Sequence, residues 1–236
     1  MICVTVNLST LTTEQRNENS MNLDQMSTID MLKVINNEDK KVAMAVESVL
    51  PSIELATDKI FESFSKGGRL FYSGAGTSGR LGYVDATECP PTFMTPVDMV
   101  QPIMAGGNNA FKIALEGTED NEEQGAEDLQ ARNITDKDVV VGITASGRTP
   151  YAIGAVKYAK KVGAYTIALS SNKNALISQF ADCGIEVIVG PEVLTGSTRM
   201  KAATAHKMVL NMMSTSAMVK LGKVQENLMV DVHASN

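Results

Sequence analysis

Residues 69–80 read RLFYSGAGTSGR, a short apolar run that passes directly into a turn of glycine and hydroxyl residues. The run at 69–73 has the length of a buried strand, and the glycines after it suit a tight entry into a helix. Outward from this point the pattern repeats. Further apolar runs at 97–104, 139–144, 165–170 and 185–189 are separated by stretches of helical spacing. Such alternation is the βαβ signature of a doubly wound parallel sheet. The expected fold is therefore α/β, with a five-stranded parallel sheet flanked by helices.

Upstream, Ile29, Met31, Leu32, Val34 and Ile35, then Val42, Val46, Leu50, Ile53, Ile60 and Phe64, recur at helical intervals. This predicts two helices broken near Pro51, the second closed by Gly67 and Gly68 in a left-handed cap. Residues 1–25 are polar and aperiodic, and read as an arm that becomes ordered only against something else, a homodimer partner being the natural candidate. A long helix rich in Ala and Met, free of proline, is expected at about 197–221.

With 236 residues and 44% hydrophobic content, the chain suits one main domain with appendages. No apolar run approaches the roughly 20 residues of a membrane span, and MICVTV at the start lacks the flanks of a secretory signal. A cytoplasmic protein without membrane partners is expected. Cys3, Cys89 and Cys183 are far apart, with no CxxC and only His206 and His233 as nitrogen ligands, so neither a disulfide framework nor a metal site is expected. The net charge of −6 argues against a nucleic-acid partner. It does not exclude an anionic small molecule, because helix N-termini bind phosphate through backbone N–H groups.

Ligands of such sheets bind beyond the carboxyl ends of the strands. Three segments there are unusual: 73–80 (SGAGTSGR), 144–150 (TASGRTP) and 194–199 (LTGSTR). Each sets glycine and small hydroxyls at a helix start, where close backbone approach, hydroxyl donors and the helix dipole all favour an anion. Taken singly, any of them could be an ordinary cap. Taken together on one face, they nominate Ser78, Gly79, Thr144, Ser146, Gly147, Thr149, Ser197 and Thr198 as phosphate-binding residues. Gly74-x-Gly76-x-x-Gly79 also matches the dinucleotide fingerprint. Its candidate ribose acid, Asp98, however, stands at the start of its apolar run rather than at the carboxyl end.

Two carboxylates stand out. The helix after the first turn is expected to stop at Cys89-Pro90-Pro91, leaving Glu88 at a helix C-terminus, half-buried, where the dipole opposes its charge. Glu119 precedes an acidic helix at 121–130, whose positive end favours an ionised carboxylate. Carboxyls pushed in opposite directions are the pattern of acid/base partners, although both also read as ordinary surface charges. His206, inside the long helix, reads as a packing or interface residue.

These motifs resemble the N-acetylmuramic acid 6-phosphate etherases, lyases built on the sugar isomerase (SIS) domain with its flavodoxin-like sheet. The matching stretches are 11–17 (LTTEQRN), 67–93 (GGRLFYSGAGTSGRLGYVDATECPPTF), 105–107 (AGG), 116–120 (EGTED), 141–151 (VGITASGRTPY) and 190–227, nearly the whole chain. The resemblance implies cleavage of the D-lactyl ether of N-acetylmuramic acid 6-phosphate, giving N-acetylglucosamine 6-phosphate and D-lactate, with no cofactor or metal. It implies Glu88 as proton donor and Glu119 as second catalytic glutamate, the base, with Ser78, Thr144, Ser146 and Thr149 at phosphate-binding positions. A base would take the C2 proton of the ring-opened sugar, the acid would protonate the departing lactyl oxygen, and water would add at C3. The expected organisation is an N-terminal arm and helices at 1–54, an SIS sugar-phosphate domain at 55–224 and a C-terminal stub at 225–236. In the family a C-terminal helical region follows. Two other activities suit the same domain: a non-catalytic sugar-phosphate regulator and an aldose–ketose isomerase. Retention of both glutamates favours the lyase.

Overall fold

The computed structural model describes residues 11–113, 115 and 117–230. Cys3, His233, Glu116 and the outer parts of the arm and stub therefore lie outside the described residues. Five strands, β1 (Leu70–Gly74), β2 (Val100–Met104), β3 (Val139–Ile143), β4 (Tyr165–Ser170) and β5 (Cys183–Glu186), form one parallel sheet in the order β2-β1-β3-β4-β5. Leu70 pairs with Val100 on one side and Val139 on the other. The connections leave β1 in opposite directions at this point, which opens a crevice above the carboxyl ends of β1 and β3.

Alternate strand residues face opposite layers, and both layers are apolar. Leu70, Tyr72, Val139 and Val141 pack on α1 (Thr28–Glu47), α2 (Leu50–Ser65), α3 (Gly76–Phe93) and α7 (Lys201–Lys220). Phe71 and Val140 face α5 (Glu122–Gln130) and α6 (Pro150–Val162). The short α4 (Gly107–Lys112) follows β2, and Val224–Gln225 (β6) pairs antiparallel with Leu228–Met229 (β7) at the end of the described chain. Burying a side chain such as Leu210 or Met213, both at most 1% exposed, stabilises the fold by about 1.5–3 kcal/mol. Among the described residues no helix is long and apolar enough to cross a membrane.

The apolar spacing of α1 and α2 agrees with the sequence reading, and Pro51 sits in the first turn of α2, where its missing N–H costs nothing. Three expectations are corrected. Helix α3 does not stop at Cys89 but continues through Pro90 and Pro91 to Phe93; buried Cys89 and Phe93 anchor the last turn, and Met94 closes it with φ 52. Helix α7 begins at Lys201 rather than near 197, because its first free N–H groups are taken by the carboxylate of Glu192, 3.0 Å from Lys201 N and 2.9 Å from Ala202 N. The described part of the arm orders against its own chain: Asn17 donates to the Pro191 carbonyl (3.0 Å), and Ser20 to that of Val193 (2.7 Å).

Two buried polar clusters hold this helical layer together, the first also reaching the sheet. Asp85 of α3 accepts hydrogen bonds from Tyr72 of β1 (2.7 Å) and from Asn211 (2.7 Å) and Ser214 (3.1 Å) of α7. Lys201, 1% exposed, pairs with Glu38 of α1 at 2.6 Å. On the other face α5 and α6 meet backbone to backbone. A Cβ at Gly125 would lie 2.0 Å from the Tyr151 carbonyl oxygen, and one at Gly154 would lie 1.9 Å from that of Glu122, so no larger residue fits.

Candidate active site

The crevice holds a cavity of about 260 Å³. Its floor is built by two turns. After β1, Ala75 is the residue before α3, and Gly76, Thr77 and Ser78 in the first turn line the cavity, where the leading backbone N–H groups of a helix have no partner within it. After β3, Thr144 is 2% exposed; its hydroxyl lies 2.8 Å from that of Thr149 and 3.3 Å from that of Ser146. The Arg148 backbone N–H donates to Ser146 Oγ at 3.3 Å. Pro150 then starts α6 with the φ a first turn needs.

Of the residues nominated from the sequence as phosphate-binding, Ser78, Thr144, Ser146, Thr149 and Thr198 line this one cavity. Gly79, Gly147 and Ser197 do not. Gly79 lies behind the first turn, where a Cβ would approach the Gly74 carbonyl oxygen to 2.8 Å, and Gly147 holds φ +74 against Ala175. Both therefore shape the turns from behind. Ser197 is displaced by the late start of α7, whose dipole is already answered by Glu192, so the anion seat expected there is filled by the protein's own carboxylate.

Glu119 is exposed and lines the cavity from a single turn, Thr118–Asp120. It also borders an adjoining space of about 250 Å³ beside Arg80, Met104 and Leu115. Asn121 then caps α5 by accepting from Gln124 N at 3.0 Å. Glu88 stands elsewhere. Because α3 runs on, Glu88 is an exposed mid-helix residue rather than a half-buried helix end. It is ten residues past Ser78, roughly 15 Å along the axis, and outside the cavity wall of its own chain. Val84 and Met94, 44% and 56% exposed, flank it.

The structure adds residues that the sequence did not nominate: Glu14 of the arm, Thr77, Gly196, Ala203 and His206. Glu14 lies inside the quoted LTTEQRN stretch, but its approach to Gly196 joins opposite ends of the chain and leaves no local trace. His206 is 1% exposed, with Nε2 3.0 Å from Ser171 Oγ. Burial pushes its imidazole down to about 4, against a smaller opposing effect of a hydrogen bond with the Ser170 backbone. The ring is therefore neutral at pH 7. Among the described residues lining the cavity there are hydroxyls, backbone N–H groups, this imidazole and two carboxylates, but no lysine or arginine.

A stability profile follows from His206. The unfolded chain binds a proton near 6.5 that the folded chain refuses until about pH 4, so stability rises with pH across that window and falls on acidification. Denaturant titrations should show roughly 3 kcal/mol of stability lost from this group between pH 6.5 and 4, a loss absent in His206→Gln. Equal slopes in the two proteins would refute the assignment.

Residues 52–160 match the family described as the glucokinase regulatory protein N-terminal SIS domain, and residues 109–221 match the SIS domain. The chain is 62% identical over 231 residues to an N-acetylmuramic acid 6-phosphate etherase of Bacillus subtilis, covering 98% of this chain and 76% of that protein. To the etherase of Actinobacillus pleuropneumoniae serotype 5b it is 58% identical over 229 residues, covering 97% and 75%. Among solved structures, a phosphoheptose isomerase from Francisella tularensis superposes with a TM-score of 0.63 at 16% identity, over 82% of this chain and 100% of that one, and so shares the fold.

Proposed function

The chain belongs to the N-acetylmuramic acid 6-phosphate etherase family, and from that premise we infer that the cavity above β1 and β3 is its active site. The protein is a carbon–oxygen lyase. It cleaves the D-lactyl ether of N-acetylmuramic acid 6-phosphate to N-acetylglucosamine 6-phosphate and D-lactate, by acid/base elimination followed by addition of water. The observation that carries this reading is 62% identity over 98% of the chain. The regulator and isomerase readings are not favoured, since relatives at this identity carry the etherase name.

In this reading the phosphate is held by the hydroxyls of Ser78, Thr144, Ser146, Thr149 and Thr198 and by the N–H groups opening α3. Neutral donors at a helix start suffice for a phosphate. Glu119 is the base. It takes the C2 proton as the C3–oxygen bond breaks, and the departing lactyl oxygen receives a proton from the acid. Water then delivers hydroxyl to C3 and a proton to C2. The shared cavity of Glu119 and the hydroxyls supports the base assignment.

Glu88 is assigned as the proton donor by resemblance to the family. Its position beyond its own chain's cavity is met by a homodimer in which the exposed stretch of α3, with Val84 and Met94, faces the cavity of the second copy. Such a cross-subunit site gives the dimer a chemical role. A cytoplasmic location suits a substrate whose phosphate charge keeps it inside the cell.

The direct test is incubation of the protein with N-acetylmuramic acid 6-phosphate and enzymatic assay of D-lactate. One D-lactate per N-acetylglucosamine 6-phosphate is expected; folded protein that releases none would sink the reading.

A further inference from the structure

We propose that Glu14 is a substrate-contacting residue, accepting hydrogen bonds from the hydroxyl and amide groups of the phosphorylated sugar. The arm that carries it is pinned on both sides of the cavity edge. Thr13, 1% exposed, receives the Asn172 amide at 3.2 Å, and Asn17 and Ser20 are bonded to the Pro191 and Val193 carbonyls. Thr13 Oγ1 donates to Glu14 Oε1 at 3.3 Å. The other oxygen, Oε2, lies 3.8 Å from where a Cβ at Gly196 would sit, and Gly196 is itself part of the cavity wall. A fixed arm thus holds a carboxylate at the mouth of a pocket built for an anion.

For bare phosphate this placement is unfavourable, because a like charge in the same cavity repels the ligand. A carboxylate has acceptor sites only, and its hydrogen bonds are strong when neutral donors reach it. A sugar phosphate brings such donors on its hydroxyls and its N-acetyl N–H; inorganic phosphate brings no comparable array. Glu14 and Glu119 reach the cavity from different directions, Glu119 from the β2–β3 crossover and Glu14 from the arm docked against residues that follow β4 and β5. The pair therefore brackets the sugar while the hydroxyls hold its phosphate, and Glu14 makes the pocket select a sugar phosphate over the anion alone.

This inference rests on the etherase reading for its choice of probe. Calorimetric titration of wild type, Glu14→Gln and Glu14→Asp with inorganic phosphate and with N-acetylglucosamine 6-phosphate tests it. Glu14→Gln should bind the sugar phosphate about tenfold more weakly, and inorganic phosphate as well as or better than wild type. Glu14→Asp, which keeps the charge but withdraws it, should lose the sugar phosphate to a similar degree without gaining phosphate, and it decides the matter if the Gln variant does not fold. Equal loss of both ligands would mean that Glu14 only holds the arm, and unchanged sugar-phosphate affinity would mean that it makes no contact; either overturns the proposal. A wild type that binds N-acetylglucosamine 6-phosphate yet releases no D-lactate from N-acetylmuramic acid 6-phosphate overturns the etherase reading and leaves Glu14 standing.

Discussion

Glu119→Gln is expected to reduce D-lactate release by about 10²- to 10⁴-fold, the usual worth of a positioned proton-transfer group. Glutamine keeps the size of the side chain and its place in the Thr118–Asp120 turn but has no basic oxygen. Binding of N-acetylglucosamine 6-phosphate should change little, because the hydroxyls of the other two turns are untouched. Glu88→Gln should fall as far in turnover. The two variants become more informative when mixed. If each site takes Glu119 from one copy and Glu88 from the other, half of the randomly reassorted dimers are mixed, and each mixed dimer has one intact site. Activity should then recover to about a quarter of wild type. Recovery of nothing would place both groups in one chain, against the dimer geometry proposed above, and full activity in either single variant would remove that glutamate from the mechanism.

The second large effect concerns Glu38, far from chemistry. Its carboxyl is 3% exposed and receives Lys201 and Lys41, both at 2.6 Å, and Asn19 at 2.9 Å. Burial alone would raise its pKa; these partners outweigh that and hold it at about 2. Glu38→Gln strands the Lys201 ammonium, 1% exposed, without a carboxylate, and is expected to cost about 3–5 kcal/mol in denaturant titrations. The double variant Glu38→Gln/Lys201→Met should recover most of that loss, since no unpaired buried charge remains. A double variant worse than Glu38→Gln alone would show that the pair stabilises by more than mutual neutralisation. The acid limb has a defined sign. A carboxyl with a depressed folded pKa stabilises fully above about 4.5 and loses that contribution as pH falls toward 2. This loss begins as that of His206 is ending, so wild type should weaken in two successive stages on acidification.

How much of this was legible in the sequence depended on range. The strands were, because a sheet covered on both faces writes continuous apolar runs such as 139–143, and the two hydroxyl turns were, because strand and helix lie next to each other in the chain. What failed were contacts across distance. The late start of α7 depends on Glu192 folding back onto Lys201 and Ala202, which no periodicity records. The prolines at 90 and 91 suggested a stop, yet the burial of Cys89 and Phe93 carried α3 past them and left Glu88 in mid-helix. Glu14 was invisible to composition for the same reason: an isolated acid in a polar arm has no signature until the arm docks.

The glycine contact between α5 and α6 has a further consequence. Helix α6 begins at the Thr149 turn, to which the phosphate end of the substrate is assigned in the proposed function, and α5 begins just after the turn that carries Glu119. With Gly125 against Tyr151 and Gly154 against Glu122, the two helices touch backbone to backbone at these two points, leaving no room there for a side chain to compress or swing. They act as a gauge block. If the Thr149 turn anchors the phosphate and Glu119 is the base, as proposed, their separation is set on the far face of the sheet by two peptide chains in contact, and the rule that sizes the substrate lies outside the pocket.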